Sequence, residues 1–77
     1  MMADLDLDAR DLICPMPVLK ARKALQGLAP GQVLDVLATD AAARKDFPAF
    51  CDATGHVLVA VADEPDGVTR YSIRKAG

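Results

Sequence analysis

The chain has too few metal-ligating and redox residues for several common chemistries. It has a single histidine, and its two cysteines, Cys14 and Cys51, are separated by 36 intervening residues. They form neither a Cys-x-x-Cys redox pair nor half of a zinc site, so no metal is expected. A disulfide between them is not expected in a reducing compartment either. There is no tryptophan, and the longest apolar run, Val57 to Ala62, falls far short of the roughly 20 residues that a spanning helix needs. No membrane association follows. Met1 to Asp4 lacks the basic and apolar regions of a signal peptide, which leads us to expect a cytoplasmic protein. Positive charge is not in surplus: 9 Lys and Arg stand against 11 Asp and Glu, a net −2. That balance excludes a nucleic-acid binder working by bulk electrostatics, although basic residues cluster on the first predicted helix and the last predicted strand. Length is short as well. A chain of 77 residues buries only ~60–65% of its unfolded surface, which allows one domain over residues 1–77, with a two-layer core and no deep cleft.

What is present is a clear alternation of periods. Residues 4–9 alternate strictly, Leu5, Leu7 and Ala9 on one side and Asp4, Asp6 and Asp8 on the other, as in a half-buried strand. The aspartate row discourages pairing along that edge. From Pro15 the period becomes helical, with Val18, Ala21, Leu25 and Leu28 on one stripe flanked by Pro17 and Ala24. Gly27 and Pro30-Gly31 end that helix. Residues 32–39 read as an interior strand and 40–45 as a loop with a helical turn. Asp46 before Phe47-Pro48 predicts a second helix over 47–53, stopped by Gly55 and carrying Phe47, Phe50 and Cys51 into the core. Residues 56–62 and 68–75 are two further strands joined through an Asp66-Gly67 hairpin signal. This order implies an α+β fold: a two-layer α/β sandwich, β-α-β-α-β-β, with a four-stranded mixed sheet and two helices on one face.

The candidate for chemistry is Cys14. Pro15 disfavours the α region for the residue before it and is itself preset for the first helical turn, so Cys14 is predicted to be the helix N-cap. Pro17 falls early enough to cost no intrahelical bond. A thiol at the positive end of a helix dipole has its pKa lowered, which makes it a nucleophile. The prolines limit the effect, because the free donors left are mainly the amides of Cys14 and Met16. Arg10 is expected to support the thiolate, Asp8 to fix the loop, and Asp11 to oppose ionisation if it points at the sulfur. Cys51, at core spacing beside Phe50, reads as packing. His56 reads as a strand-start residue, since nothing in the sequence places it near Cys14. Met16 and Leu19 fall off the core stripe, on the side of Lys20 and Lys23. An apolar spot rimmed by lysine beside a thiol suits a docking surface for an acidic partner.

The segment containing Asp8, Cys14, Pro15 and Pro17 resembles the Asp-x-x-Gly-x-x-Cys-Pro-x-Pro mark of the small bacterial TusA, or SirA-like, sulfur carriers. Thr39-Asp40, Asp46 to Cys51 and Gly55-His56 resemble a second segment of that family, so the likeness spans nearly the whole chain. The resemblance implies the two-layer sandwich, also similar to the C-terminal domain of translation initiation factor three. It further implies a persulfide on Cys14, with no other cofactor. The sulfur would arrive from a cysteine desulfurase or rhodanese-like donor protein and leave to an acceptor relay protein, serving tRNA thiolation, molybdenum cofactor assembly or sulfur oxidation. Two positions depart from the family pattern: Asp11 stands where glycine is usual, and Ala41 where proline is common. Two rival readings stand beside it, the second of them suggested only by fold analogy and local basic residues. One is a thiol redox sensor acting through Cys14; the other is a nucleic-acid binding module.

Overall fold

A computed structural model describes residues 3–76; Met1, Met2 and Gly77 of the expected 1–77 domain lie outside the described residues. The elements are β1 (Leu5–Ala9), α1 (Met16–Gln26), β2 (Val33–Ala38), α2 (Ala43–Thr54), β3 (Val57–Asp63), a short 3₁₀ turn at Pro65–Gly67, and β4 (Thr69–Arg74). The sheet order is β1-β2-β4-β3, with β1 parallel to β2 and the other pairs antiparallel. This is the mixed four-stranded sheet the periodicity predicts.

One sheet face carries Leu34, Val36 and Ala38 of β2 and Tyr71 and Ile73 of β4, all fully buried against Pro17, Ala21 and Leu25 of α1 and Ala43, Phe47 and Cys51 of α2. The ring of Phe47 stacks on that of Tyr71 at 4.6 Å between centroids. These two are the largest buried side chains, so a single aromatic pair fastens α2 to the centre of the sheet. The α1 stripe is centred on Pro17, Ala21 and Leu25, with Val18, Ala24 and Leu28 at its margin. The other sheet face has no helical cover and carries a polar network, in which Arg70 reaches Glu64 at 2.8 Å and Asp35 at 3.1 Å while Ser72 donates to Asp35 at 2.7 Å.

Two expected boundaries are corrected. Cys14 is not the N-cap of α1. The Cys14–Pro15 peptide is cis, Pro15 takes the cap position, and the Met16 N–H donates to the Ile13 carbonyl at 2.8 Å, closing a turn of type VI with Cys14 at its corner. The second correction is that α2 begins at Ala43 rather than Phe47. The Asp40 side chain accepts the Ala42 N–H at 3.3 Å, and the three alanines 41–43 are the best helix formers, so the chain winds up before Asp46. Pro48 consequently sits inside the helix. Gly55 ends it in the left-handed region, φ +82, as the sequence implies. The Asp66-Gly67 pair adopts positive φ at both residues, 65 and 74, the conformation a tight type I′ hairpin demands.

Candidate functional site

Cys14 is exposed and free, whereas Cys51 is in the core with 4% exposure. The loop bearing Cys14 leaves β1 and is tied to the end of β2, its parallel neighbour. The Asp11 N–H donates to the Thr39 hydroxyl at 2.9 Å, and the Cys14 N–H donates to the Asp40 carboxylate at 2.6 Å. Asp11 has φ +67. That left-handed conformation is one glycine adopts freely and aspartate tolerates, which explains how Asp occupies the place where the family pattern has glycine. Ala41 lies in the turn whose Asp40 carbonyl accepts the Ala43 N–H at 3.1 Å; no proline is needed to close it.

The electrostatics at the sulfur are opposite to expectation. The Cys14 thiol pKa is raised, first by a hydrogen bond to Asp46, then by desolvation and by the charges of Asp46 and Asp40. The expected lowering depended on free amides at the helix tip. Both are engaged: that of Cys14 by Asp40 and that of Met16 by Ile13. The early start of α2 makes Asp46 a first-turn residue of that helix rather than its cap. Arg10 does not support the thiolate. Its guanidinium is held by Asp8 through contacts of 2.8 and 2.9 Å, and the Asp8 carboxylate also accepts the Arg10 N–H at 3.0 Å. These bonds to Arg10 lower the Asp8 pKa to about 2. The pair therefore braces the exit from β1. His56 accepts the Ala76 N–H at 2.9 Å at the start of β3. By register that is the end of the sheet opposite Cys14, so it is no base for the thiol.

Exposed apolar residues stand close to Cys14 along the chain and form an apolar collar there. Met16 is 41% and Leu19 48% exposed, beside the exposed Lys20 and Lys23 of α1. Ile13, 73% exposed, adds the largest piece of this surface. The sequence reading does not single it out, because it lies outside the helical stripe and the strand alternation, and nothing local to it marks it as exposed. An open cleft of ≈ 270 Å³ lies next to the site, lined among others by Thr39, Asp40, Arg44 and Glu64, and Cys14 does not line it. Among the described residues no cluster of ligating side chains fits a metal ion, and no helix is long and apolar enough to cross a membrane.

Comparison with known proteins agrees with this arrangement. The family described as Sulfurtransferase TusA matches residues 5–75. The sulfur carrier protein TusA of Allochromatium vinosum is 46% identical over 77 residues, covering 97% of this chain and 100% of its own. A protein of Neisseria meningitidis serogroup A is 56% identical over 62 residues, 80% of this chain and 82% of its own. The crystal structure of the SirA-like protein DSY4693 from Desulfitobacterium hafniense superposes with a TM-score of 0.83 at 27% identity, covering 95% of this chain and 99% of that one. Fold, motif and relatives converge, and the chain belongs to the TusA family of sulfur carriers.

Proposed function

We propose that the protein relays sulfane sulfur as a persulfide on Cys14, taking it from a donor protein, a cysteine desulfurase or a rhodanese-like enzyme, and yielding it to an acceptor protein in the cytoplasm. The observation that carries this reading is an exposed, unpaired thiol at the corner of a turn, with Ile13, Met16 and Leu19, its neighbours along the chain, exposed as well. A sulfur so displayed is reachable by another protein's active site, and the apolar collar gives that protein a surface to cover. Specificity then comes from the donor and acceptor, whose identities decide whether the sulfur serves tRNA thiolation, cofactor assembly or sulfur oxidation.

The transfer balances without net oxidation. The Cys14 thiolate attacks the outer sulfur of a donor persulfide R–S–SH, forming a new S–S bond. The donor S–S bond breaks with its electron pair on R–S⁻, which takes up the proton that Cys14 released. Delivery to an acceptor thiol is the same step in reverse sense. Incubation with a desulfurase and cysteine, or with a rhodanese and thiosulfate, is expected to add the mass of one sulfur atom to the wild type and nothing to Cys14→Ser. Absence of the adduct with both donors would overturn the reading.

A further inference from the structure

The pairing of β1 with β2 ends at Ala9 opposite Ala38. Beyond it the next two residues of the β2 side, Thr39 and Asp40, continue the contact with side chains in place of backbone. The Thr39 hydroxyl accepts the Asp11 N–H at 2.9 Å, and Asp40 Oδ2 accepts the Cys14 N–H at 2.6 Å. The other oxygen of Asp40, Oδ1, accepts the Ala42 N–H at 3.3 Å, so the same carboxylate is also tied to the turn that leads into α2. An N–H donating to a carboxylate is a charge-assisted bond, roughly twice as strong as a neutral one. The strand ends behind this clasp are firm, since Ala9 and Ala38 are buried in the core. On the other side of the cysteine, Pro15 restricts the backbone of the residue before it, and the Met16 N–H donates to the Ile13 carbonyl at 2.8 Å. The Cys14 backbone is thus held on both sides of its Cα. What the sulfur keeps is rotation about Cα–Cβ, among the staggered positions.

We infer that Thr39 and Asp40 are positioning residues for sulfur transfer: together they clasp the cysteine loop to the end of β2 and so aim Cys14 at the reacting sulfur of a docked partner. Displacement at sulfur needs the attacking atom close to the S–S bond that breaks and aligned with it, and a group held in that geometry beforehand gains rate that a loose one forfeits. Much of the surface offered to a partner, Met16 and Leu19, belongs to α1 and lies outside the clasp. A loosened loop therefore leaves docking nearly as it was and costs alignment, which lowers kcat and spares KM. A small reagent, free to approach from any direction, needs no such aim. The inference rests on the carrier reading of Cys14 and adds to it the residues that hold the sulfur in place.

The test compares two reactions of Cys14 in the full chain, both read by mass spectrometry of the Cys14 peptide so that Cys51 does not contribute. One is persulfide uptake from a cysteine desulfurase with cysteine, or a rhodanese with thiosulfate, its initial rate followed against carrier concentration; the other is alkylation by iodoacetamide. Asp40→Ala is expected to lower kcat for uptake by roughly 10- to 100-fold and to leave KM within about threefold, while the alkylation rate does not fall. Asp40→Asn keeps an oxygen to accept the Cys14 N–H and should recover kcat to within about fivefold of wild type. Thr39→Val removes only the acceptor of the Asp11 N–H, further from the sulfur, and should lower kcat by roughly threefold. If Asp40→Ala folds poorly by circular dichroism, Thr39→Val decides by the same comparison. A wild type that takes up no sulfur from either donor overturns the carrier reading and this inference with it. A wild type that does take it up leaves the carrier reading standing, and three results then overturn the inference alone: an unchanged kcat in the deciding variant, a loss confined to KM, or an alkylation rate that falls in parallel with kcat. Asp40→Asn as slow as Asp40→Ala would do so too, since the accepted N–H would then not be what matters.

Discussion

Asp11 shows how one residue can meet a backbone demand that its type only tolerates. Its φ of +67 is imposed by the turn out of β1, while its N–H is fixed by Thr39. Replacing it with a β-branched side chain should cost about 1–2 kcal/mol, the steric penalty of left-handed backbone for such residues, whereas Asp11→Gly should stay within about 1 kcal/mol of wild type because relief of strain is offset by a freer unfolded chain. Urea denaturation of Asp11→Val and Asp11→Gly side by side measures the difference; equal stabilities would show that the turn relaxes around the side chain. The same locality governs what the sequence could and could not reveal here. Cys14 was legible because its frame, Pro15 and Pro17, is adjacent to it. The sign of its electrostatics was not, because the charges of Asp46 and Asp40 that raise its pKa lie far along the chain, and Asp40 is brought to the Cys14 N–H through the parallel pairing of β1 with β2, which local residue patterns do not encode. Arg10 misled for a related reason: a cation two residues from an aspartate pairs with it rather than with a thiol further along. A raised thiol pKa also weighs against a sensor that reacts with dilute peroxide, since that chemistry depends on thiolate.

At the scale of elements, the periodic segments were readable and their ends were less so. Strands β2 and β4 follow from alternation and from the hairpin pair Asp66-Gly67, because a period of two needs no tertiary information. Helix α2 was placed four residues late. Proline after aspartate usually marks a beginning, yet Ala41, Ala42 and Ala43 wind the chain first, and Pro48 is carried into the helix. Its ring removes the N–H that would bond the Arg44 carbonyl four residues earlier. Pro48→Ala restores that donor and is expected to stabilise the domain by about 1–2 kcal/mol, less than the ~3 kcal/mol of an isolated helix interior because the position is near the first turn. Thermal melting checks it: an unchanged or lowered midpoint would mean that Pro48 contributes packing equal to the bond it forgoes. The change leaves Phe47 on Tyr71, so it tests the helix without disturbing its anchor.

Across the whole molecule the two edges of the sheet are treated differently. Strand β1 carries Asp4, Asp6 and Asp8 along or beside its edge, and like charges there oppose pairing with another chain. Strand β3, the other edge, has no charged residue from Val57 to Ala62 and leaves Val57, Val59 and Val61 43%, 55% and 45% exposed. Its defence is the irregularity between Leu58 and Ala60, where Val59 has no partner on β4 and the ladder is interrupted. A bulge of this kind protects the native edge but does nothing once heating loosens β3 from β4, when a strand apolar from Val57 to Ala62 becomes a template for its own kind. Val59→Lys places a charge at the unpaired position, where no buried contact is lost. Its folding free energy should stay within about 0.5 kcal/mol of wild type, as for surface substitutions generally, while the temperature at which light scattering rises should increase by several degrees. If scattering begins at the same temperature in both proteins, aggregation starts elsewhere, and the collar of Ile13, Met16 and Leu19 is the next surface to alter, since it joins exposed apolar area to the function of the exposed thiol.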